Sequence, residues 1–162
     1  MIGLPGKSIV LGKNMMILLV RRKMFEHKDG YITMTDKLWK LMKAVNKKAN
    51  KIKYKTDLQA YNQLDLWTSE MDKLGYGDCD DYMLYKKRLL QEEGVPWQGL
   101  VPATCVAGGG GHAVLLVRTS EGNYILDNNL DHISKKENYT FERKPVEWLD
   151  YYEPLEKRWY GF

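Results

Sequence analysis

Apolar and polar positions follow two different rhythms along this chain. Leu38, Leu41, Met42, Val45, Ala49 and Ile52 recur every three to four positions, the spacing of one face of an α-helix. Thr35 is a good N-cap and Asp36 suits the first turn, so a helix is predicted to begin at Thr35. A second strong helix is predicted from Asp78 or Cys79 to about Glu93, where Gly94, Val95 and Pro96 stop it. Between them, residues 54–66 read as a connecting loop. Asp65 to Leu74 reads as a short helix that Gly75 and Gly77 break.

Past Leu100 the rhythm becomes that of strands. Leu100–Ala107, His112–Arg118 and Tyr124–Asp127 are predicted strands, joined by a four-glycine turn at Gly108–Gly111 and a tight turn at Glu121-Gly122-Asn123. Earlier in the chain, Met15–Arg22 reads as a core strand, His27–Gly30 as a turn and Tyr31–Met34 as a short extended piece. The tail from Trp148 to Phe162 is rich in Tyr and Trp and is expected to pack back onto the domain. Helices followed by an antiparallel sheet make an α+β arrangement. The 162 residues suit a single domain, with 1–34 as an N-terminal arm.

Composition narrows the function classes. The longest early apolar run, Met15–Val20, has six residues and is followed by Arg21, Arg22 and Lys23. That is too short for a membrane span and has the reverse order of a secretory signal. With no signal peptide and no transmembrane segment visible, the expectation is a cytoplasmic or virion-associated protein. Two cysteines, Cys79 and Cys105, make no disulfide framework. Cys105 lies in an apolar run and reads as filler in a buried strand.

Charge is unevenly spread. Residues 1–55 hold 14 Lys/Arg against 3 Asp/Glu, whereas residues 56–162 hold 11 against 18. Such a basic segment is either a solvated helix face or a surface for an anionic polymer. Lys37, Lys40, Lys47, Lys48 and Lys51 fall mainly off the apolar stripe, which favours the solvated face. No Gly-rich or aromatic nucleic-acid motif accompanies the lysines, so nucleic acid is not an expected partner.

The candidate chemistry centres on Cys79 in Gly77-Asp78-Cys79-Asp80-Asp81-Tyr82. A thiolate at a helix start is favoured by the macrodipole, and the free N–H groups there can hold an oxyanion. Asp78 and Asp80 oppose a thiolate, so a neighbouring imidazolium or a bound cation is needed. His112 opens a strand and Asp127 ends the next one. Adjacent antiparallel strands can bring Asp127 beside His112 and fix its tautomer. Singly, each residue also has a plain structural reading: a small buried Cys, a hydrogen-bonded strand-edge His, a turn Asp. His27 and His132 lie in polar segments and compete poorly. Trp67 reads as a core aromatic or as a wall of the cleft.

The residues carry a resemblance. Val45 to Tyr54, Asp57, Asp65-Leu66-Trp67-Thr68, Gly77 to Tyr82, Lys86, Gly94-Val95-Pro96, His112-Ala113-Val114-Leu115 and Leu126-Asp127-Asn128 resemble the bacterial transglutaminase-like cysteine proteinases, over roughly residues 38–130. The resemblance implies a papain-like or transglutaminase-like fold, with the nucleophile at a helix N-terminus against a small antiparallel sheet. It also implies a cysteine peptidase with a triad of Cys79, His112 and Asp127. Known members include calcium-dependent periplasmic proteases that cleave cell-surface adhesins, which implies Ca²⁺ ligands at Asp78, Asp80 and Asp81. This sequence shows no export signal and is compact, which points to a phage- or mobile-element-associated role. The expected partners are a protein or peptidoglycan-peptide substrate, and particle or tail proteins. A cell-wall amidase and a non-catalytic particle component are the alternatives.

Overall fold

The computed structural model describes residues 25–61 and 67–162. The predicted strand Met15–Arg22, most of the arm, and residues 65 and 66 of the short predicted helix lie outside them.

The described chain opens with β1 (His27–Lys28) and β2 (Tyr31–Ile32), followed by the long helix α1 (Asp36–Ala49). Short pieces then lead to the second long helix: β3 (Lys53–Tyr54), α2 (Asp57–Tyr61), α3 (Met71–Leu74) and β4 (Tyr76–Gly77). That helix is α4 (Cys79–Glu92). Next come β5 (Leu100–Ala107), β6 (Gly110–Thr119), β7 (Gly122–Asp127) and β8 (Leu130–Lys135). The chain ends with β9 (Thr140–Phe141), β10 (Lys144–Pro145), β11 (Glu147–Glu153) and β12 (Arg158–Gly161). No helix among the described residues is long and apolar enough to cross a membrane.

Both long helices sit where the sequence puts them, and for the expected reasons. Thr35 is extended and its Oγ1 accepts from Leu38 N at 3.1 Å, which satisfies one of the free N–H groups at the start of α1. At the far end of α4, Gly94 takes a left-handed φ of 89°, and Val95 N returns to Leu90 O at 3.0 Å. One face of α1 buries Leu38, Met42, Val45 and Ala49 against α4 and the sheet. Each fully buried Leu or Met contributes about 1.5–3 kcal/mol by leaving water.

The sheet is larger than the strand pattern predicts. Eight strands join, in the order β1-β2-β6-β5-β11-β12, with β7 and β8 continuing from β6 on its other side. All pairings in it are antiparallel except one parallel contact, Ile32 with Thr119. The aromatic tail does pack back, as the β11–β12 hairpin on the β5 edge. The four-glycine segment resolves into two parts. Gly108 and Gly109 make the turn, with φ of 59° and 82°, a conformation that favours glycine. Gly110 and Gly111 already belong to β6, paired with Ala107 and Val106.

Strict alternation in β6 gives the sheet two buried faces. Ala113, Leu115 and Val117 join the helix side with Leu126. Val114 and Leu116 join Val101, Ala103, Ile125 and Tyr139 on the other. Cys105 is fully buried between its strand neighbours, and burial pushes its thiol up to about 12, consistent with a filler role.

Candidate functional site

Three separate local devices converge on one place. Cys79 is the first residue of α4 and is half-buried. Gly77 allows the tight entry, since a Cβ there would lie 2.8 Å from the Asp81 Cβ. Asp81, three residues past the N-cap, clamps the entry: its Oδ2 accepts from Asp78 N at 3.2 Å and its Oδ1 from Thr68 N at 2.8 Å.

His112 and Asp127 meet through strand register. β6 and β7 pair Leu115 with Leu126, so His112 and Asp127 fall on a cross-strand diagonal. The His112 Nε2 lies 2.7 Å from Asp127 Oδ1. The Cys79 thiol lies near enough to the imidazole to favour its charged form. Burial opposes a charged imidazole, but the Asp127 hydrogen bond and charge, with the nearby Cys79, outweigh it and hold His112 up to about 9. Asp127 is pushed up by its burial, yet the His112 hydrogen bond and charge bring it below its ordinary value. Its Oδ2 also accepts from Tyr139 OH at 2.9 Å, and its Oδ1 from Asn129 N at 3.2 Å. Phe141 tilts against the imidazole with ring centres 5.9 Å apart.

The turn that carries Asp127 is pinned from α1. Asn50 Nδ2 donates to the Asp127 carbonyl at 3.0 Å, and Asn46 Nδ2 to the Leu130 carbonyl at 2.7 Å. Behind it, α4 carries Lys86, which is fully buried and whose Nζ has no hydrogen-bond partner among the described residues. Burial lowers this lysine to about 7, while the charges of Asp127 and Asp131 oppose that fall.

The first turn of α4 holds a second cluster. One carboxylate oxygen from each of Asp57, Asp78 and Asp81 lies within 4.8 Å of the other two. Asp57 stands in this group with Asp78 and Asp81, whereas the resemblance implies ligands at Asp78, Asp80 and Asp81. The Asp80 carboxyl is buried beside these acids. Burial, then the neighbouring Asp78 and the other acids, push Asp80 up to about 9. Asp81 rises to about 6, from burial first and then the charges of Asp78 and Asp57, against the hydrogen bonds it accepts.

Around the thiol, Tyr54 is half-exposed (52%) and stacks on Tyr82 at 6.5 Å. Trp67 is a surface residue, 43% exposed, edge-on to Trp159 at 6.2 Å, and so is not the core aromatic that its composition suggested. His27 and His132 are exposed and take no part in the site. Sequence reasoning missed the roles of Asn46, Asn50 and Lys86, though a signal existed. Each is a polar residue on an otherwise apolar helix stripe, where desolvation must be offset by a partner. Asp57 stands among the residues of the family resemblance without an assigned role, and nothing local flags Tyr139.

Comparison with known proteins adds to this geometry. A sequence model of the bacterial transglutaminase-like cysteine proteinases matches residues 22–150. No curated protein matches the chain. Among solved structures, Legionella pneumophila LapG in its calcium-bound form is similar, with a TM-score of 0.62 and 24% identity. That likeness covers 72% of this chain and 66% of LapG. A second LapG structure gives 0.60 and 26%, covering 72% and 65%; an EGTA-treated one gives 0.58 and 25%, covering 70% and 62%. This chain therefore spans just under two thirds of the LapG chains it matches. The mixed fold of helices against a curled sheet is common to both.

Proposed function

The chain belongs to the bacterial transglutaminase-like cysteine proteinase family, and from that premise we propose that it hydrolyses peptide bonds with Cys79 as nucleophile, His112 as base and Asp127 as orienting group. The observation that carries this reading is the placement of His112, hydrogen-bonded to Asp127 at 2.7 Å and near enough to Cys79 for the thiol to favour its charged form. An imidazole held so strongly in its charged form suits a thiolate–imidazolium pair.

In this reading the Cys79 thiolate attacks the carbonyl carbon and the C–N bond breaks from the tetrahedral intermediate. The His112 imidazolium gives its proton to the leaving nitrogen. A water molecule, deprotonated by His112, then cleaves the thioester. The Cys79 backbone N–H, at the first position of α4, is available to the oxyanion because the first N–H groups of a helix lack an intrahelical acceptor. Asp127 keeps the imidazole in one tautomer and orientation.

Calcium fits the acidic cluster. Ca²⁺ takes several carboxylate oxygens, and Asp57, Asp78 and Asp81 converge their oxygens on one point. Asp78 Oδ1 is buried with no hydrogen-bond partner among the described residues. LapG has a calcium-bound form. In this chain Asp57, Asp78 and Asp81 would hold the ion, and its charge would offset the carboxylates that oppose a thiolate at Cys79.

The test is alkylation of the native protein by iodoacetamide at neutral pH, read by peptide mass spectrometry. Cys79 is expected to react faster in the folded protein than in the urea-unfolded one, and Cys105 only after unfolding. A folded-state Cys79 that reacts no faster than its unfolded counterpart overturns the reading.

A further inference from the structure

Lysines line the outward side of α1 with little to oppose them. Lys40, Lys43, Lys47 and Lys48 are exposed on the helix, and Lys51 and Lys53 are exposed just beyond it. Asp36 is the one acid in α1. Among the described residues, none of Lys40, Lys47, Lys48, Lys51 and Lys53 enters an ion pair. Residues 1–24 add five basic side chains and no acid, so their sequence offers no counter-charge either.

Stability does not account for this face. Lysines three and four positions apart, such as Lys40, Lys43 and Lys47, repel one another along a helix. Only Lys47 and Lys48, in the last turn, complement the macrodipole.

The basic face runs into the candidate active site. Lys53 pairs with Tyr76 and Tyr54 with Gly77 in a parallel ladder, and Lys55 N donates to the Gly77 carbonyl at 2.9 Å. Gly77 stands two residues before Cys79. Lys55 Nζ sits over the Tyr76 ring, 4.6 Å from its centre. Half-exposed Tyr54, between Lys53 and Lys55 in the chain, lies within reach of Cys79, Asp78 and Asp80. Among the acids of the site, Asp57, Asp80 and Asp81 are buried and Asp78 is half-buried.

We propose that the lysine face of α1, continued by Lys53 and Lys55, docks an acidic segment of the protein substrate that is cut at Cys79. The proposal rests on the peptidase reading above and names the substrate class. A polypeptide suits the face better than nucleic acid. Its cations are all lysine, which act as point charges and lack the planar fork that binds phosphate bidentately. A site built to cleave amides also lies at its end.

The experiment uses the full chain carrying Cys79→Ala, which binds without turnover. Fluorescence anisotropy measures its affinity for a labelled Glu-rich peptide, the Gln-rich counterpart, and a single-stranded oligonucleotide of equal charge. The Glu-rich peptide is expected to bind about tenfold or more tighter than its Gln counterpart, with affinity falling as salt rises. Lys40→Gln/Lys47→Gln/Lys51→Gln should weaken that binding about tenfold or more, and the matching Arg triple variant should retain it. Melting temperature should stay level in both. Equal binding by the Gln triple variant, or tighter binding of the oligonucleotide, overturns the proposal. Failure of the peptidase reading shows separately, as a native Cys79 inert to iodoacetamide.

Discussion

Two acidic regions flank the Cys79 thiol, and they behave in opposite ways. On the hairpin, buried Asp127 is met by His112, Tyr139 OH and Asn129 N, and its carboxyl stays below the ordinary value. At the start of α4, Asp57, Asp78 and Asp81 converge while Asp80 and Asp81 are driven up, to about 9 and about 6. Burial is similar in kind at both places. What differs is the partner: the hairpin carries its own cation, and the helix start gathers carboxylates around a buried point. A buried carboxylate is stable as an anion only where a donor or a positive charge offsets its desolvation. The hairpin thus offsets its own buried anion, and the helix start is where the proposed Ca²⁺ would do the same.

The largest test of this contrast is on the thiol that both regions flank. Cys79→Ala should lower hydrolysis of a proteome-derived peptide mixture by about 10⁴-fold or more, with the fold intact by circular dichroism. Residual activity within tenfold of the wild type would sink the assignment. Next in size is the hairpin itself. Asp127→Asn leaves the shape but reverses the hydrogen-bond demand on His112, and a loss of about 10³–10⁴-fold is expected.

The helix start is tested by adding the proposed ion. At a calcium concentration near 100 times the dissociation constant, the gain is about 2.7 kcal/mol, or about 5–11 °C in a protein of this size. Asp57→Asn should remove most of that rise, whereas Asp80→Asn should leave much of it. A melting temperature indifferent to calcium and to chelator would break the comparison.

The smallest effect is on the hairpin's pH dependence. His112 has its folded value raised from 6.5 to about 9. A raised value means that the pair's stabilisation is fully present below the unfolded value and is lost as pH rises through the folded one. Melting curves from about pH 6 to about pH 10 should therefore show an alkaline decline that Asp127→Asn flattens. Parallel curves for the two proteins would rule out the pairing as a source of stability.

Much of this was legible in the chain. The α1 and α4 boundaries follow from Thr35, Asp78 and Gly94, because capping is local chemistry within a few residues. The diagonal meeting of His112 and Asp127 follows from alternation and a tight turn, since register in a hairpin is fixed by its turn. Other features escaped for a physical reason. Asp57 joins the cluster from the start of α2, in a segment that no periodicity ties to Cys79. Trp67 is apolar enough for a core, yet it ends at the surface against Trp159, a residue far away in the chain. The burial of Lys86 depends on two helices and a turn closing around it.

The sequence by itself determined the two helices, the strands of the hairpin and the identity of Cys79, His112 and Asp127 as the residues to watch. Those properties depend on spacing of 2.0 or 3.6 residues and on caps, all read over short windows. Only the tertiary structure decided which acid completes the cluster, how Asn46 and Asn50 pin the Asp127 turn, and where the lysine face of α1 leads. Those properties depend on contacts between segments that share no local pattern, and chain packing alone selects them.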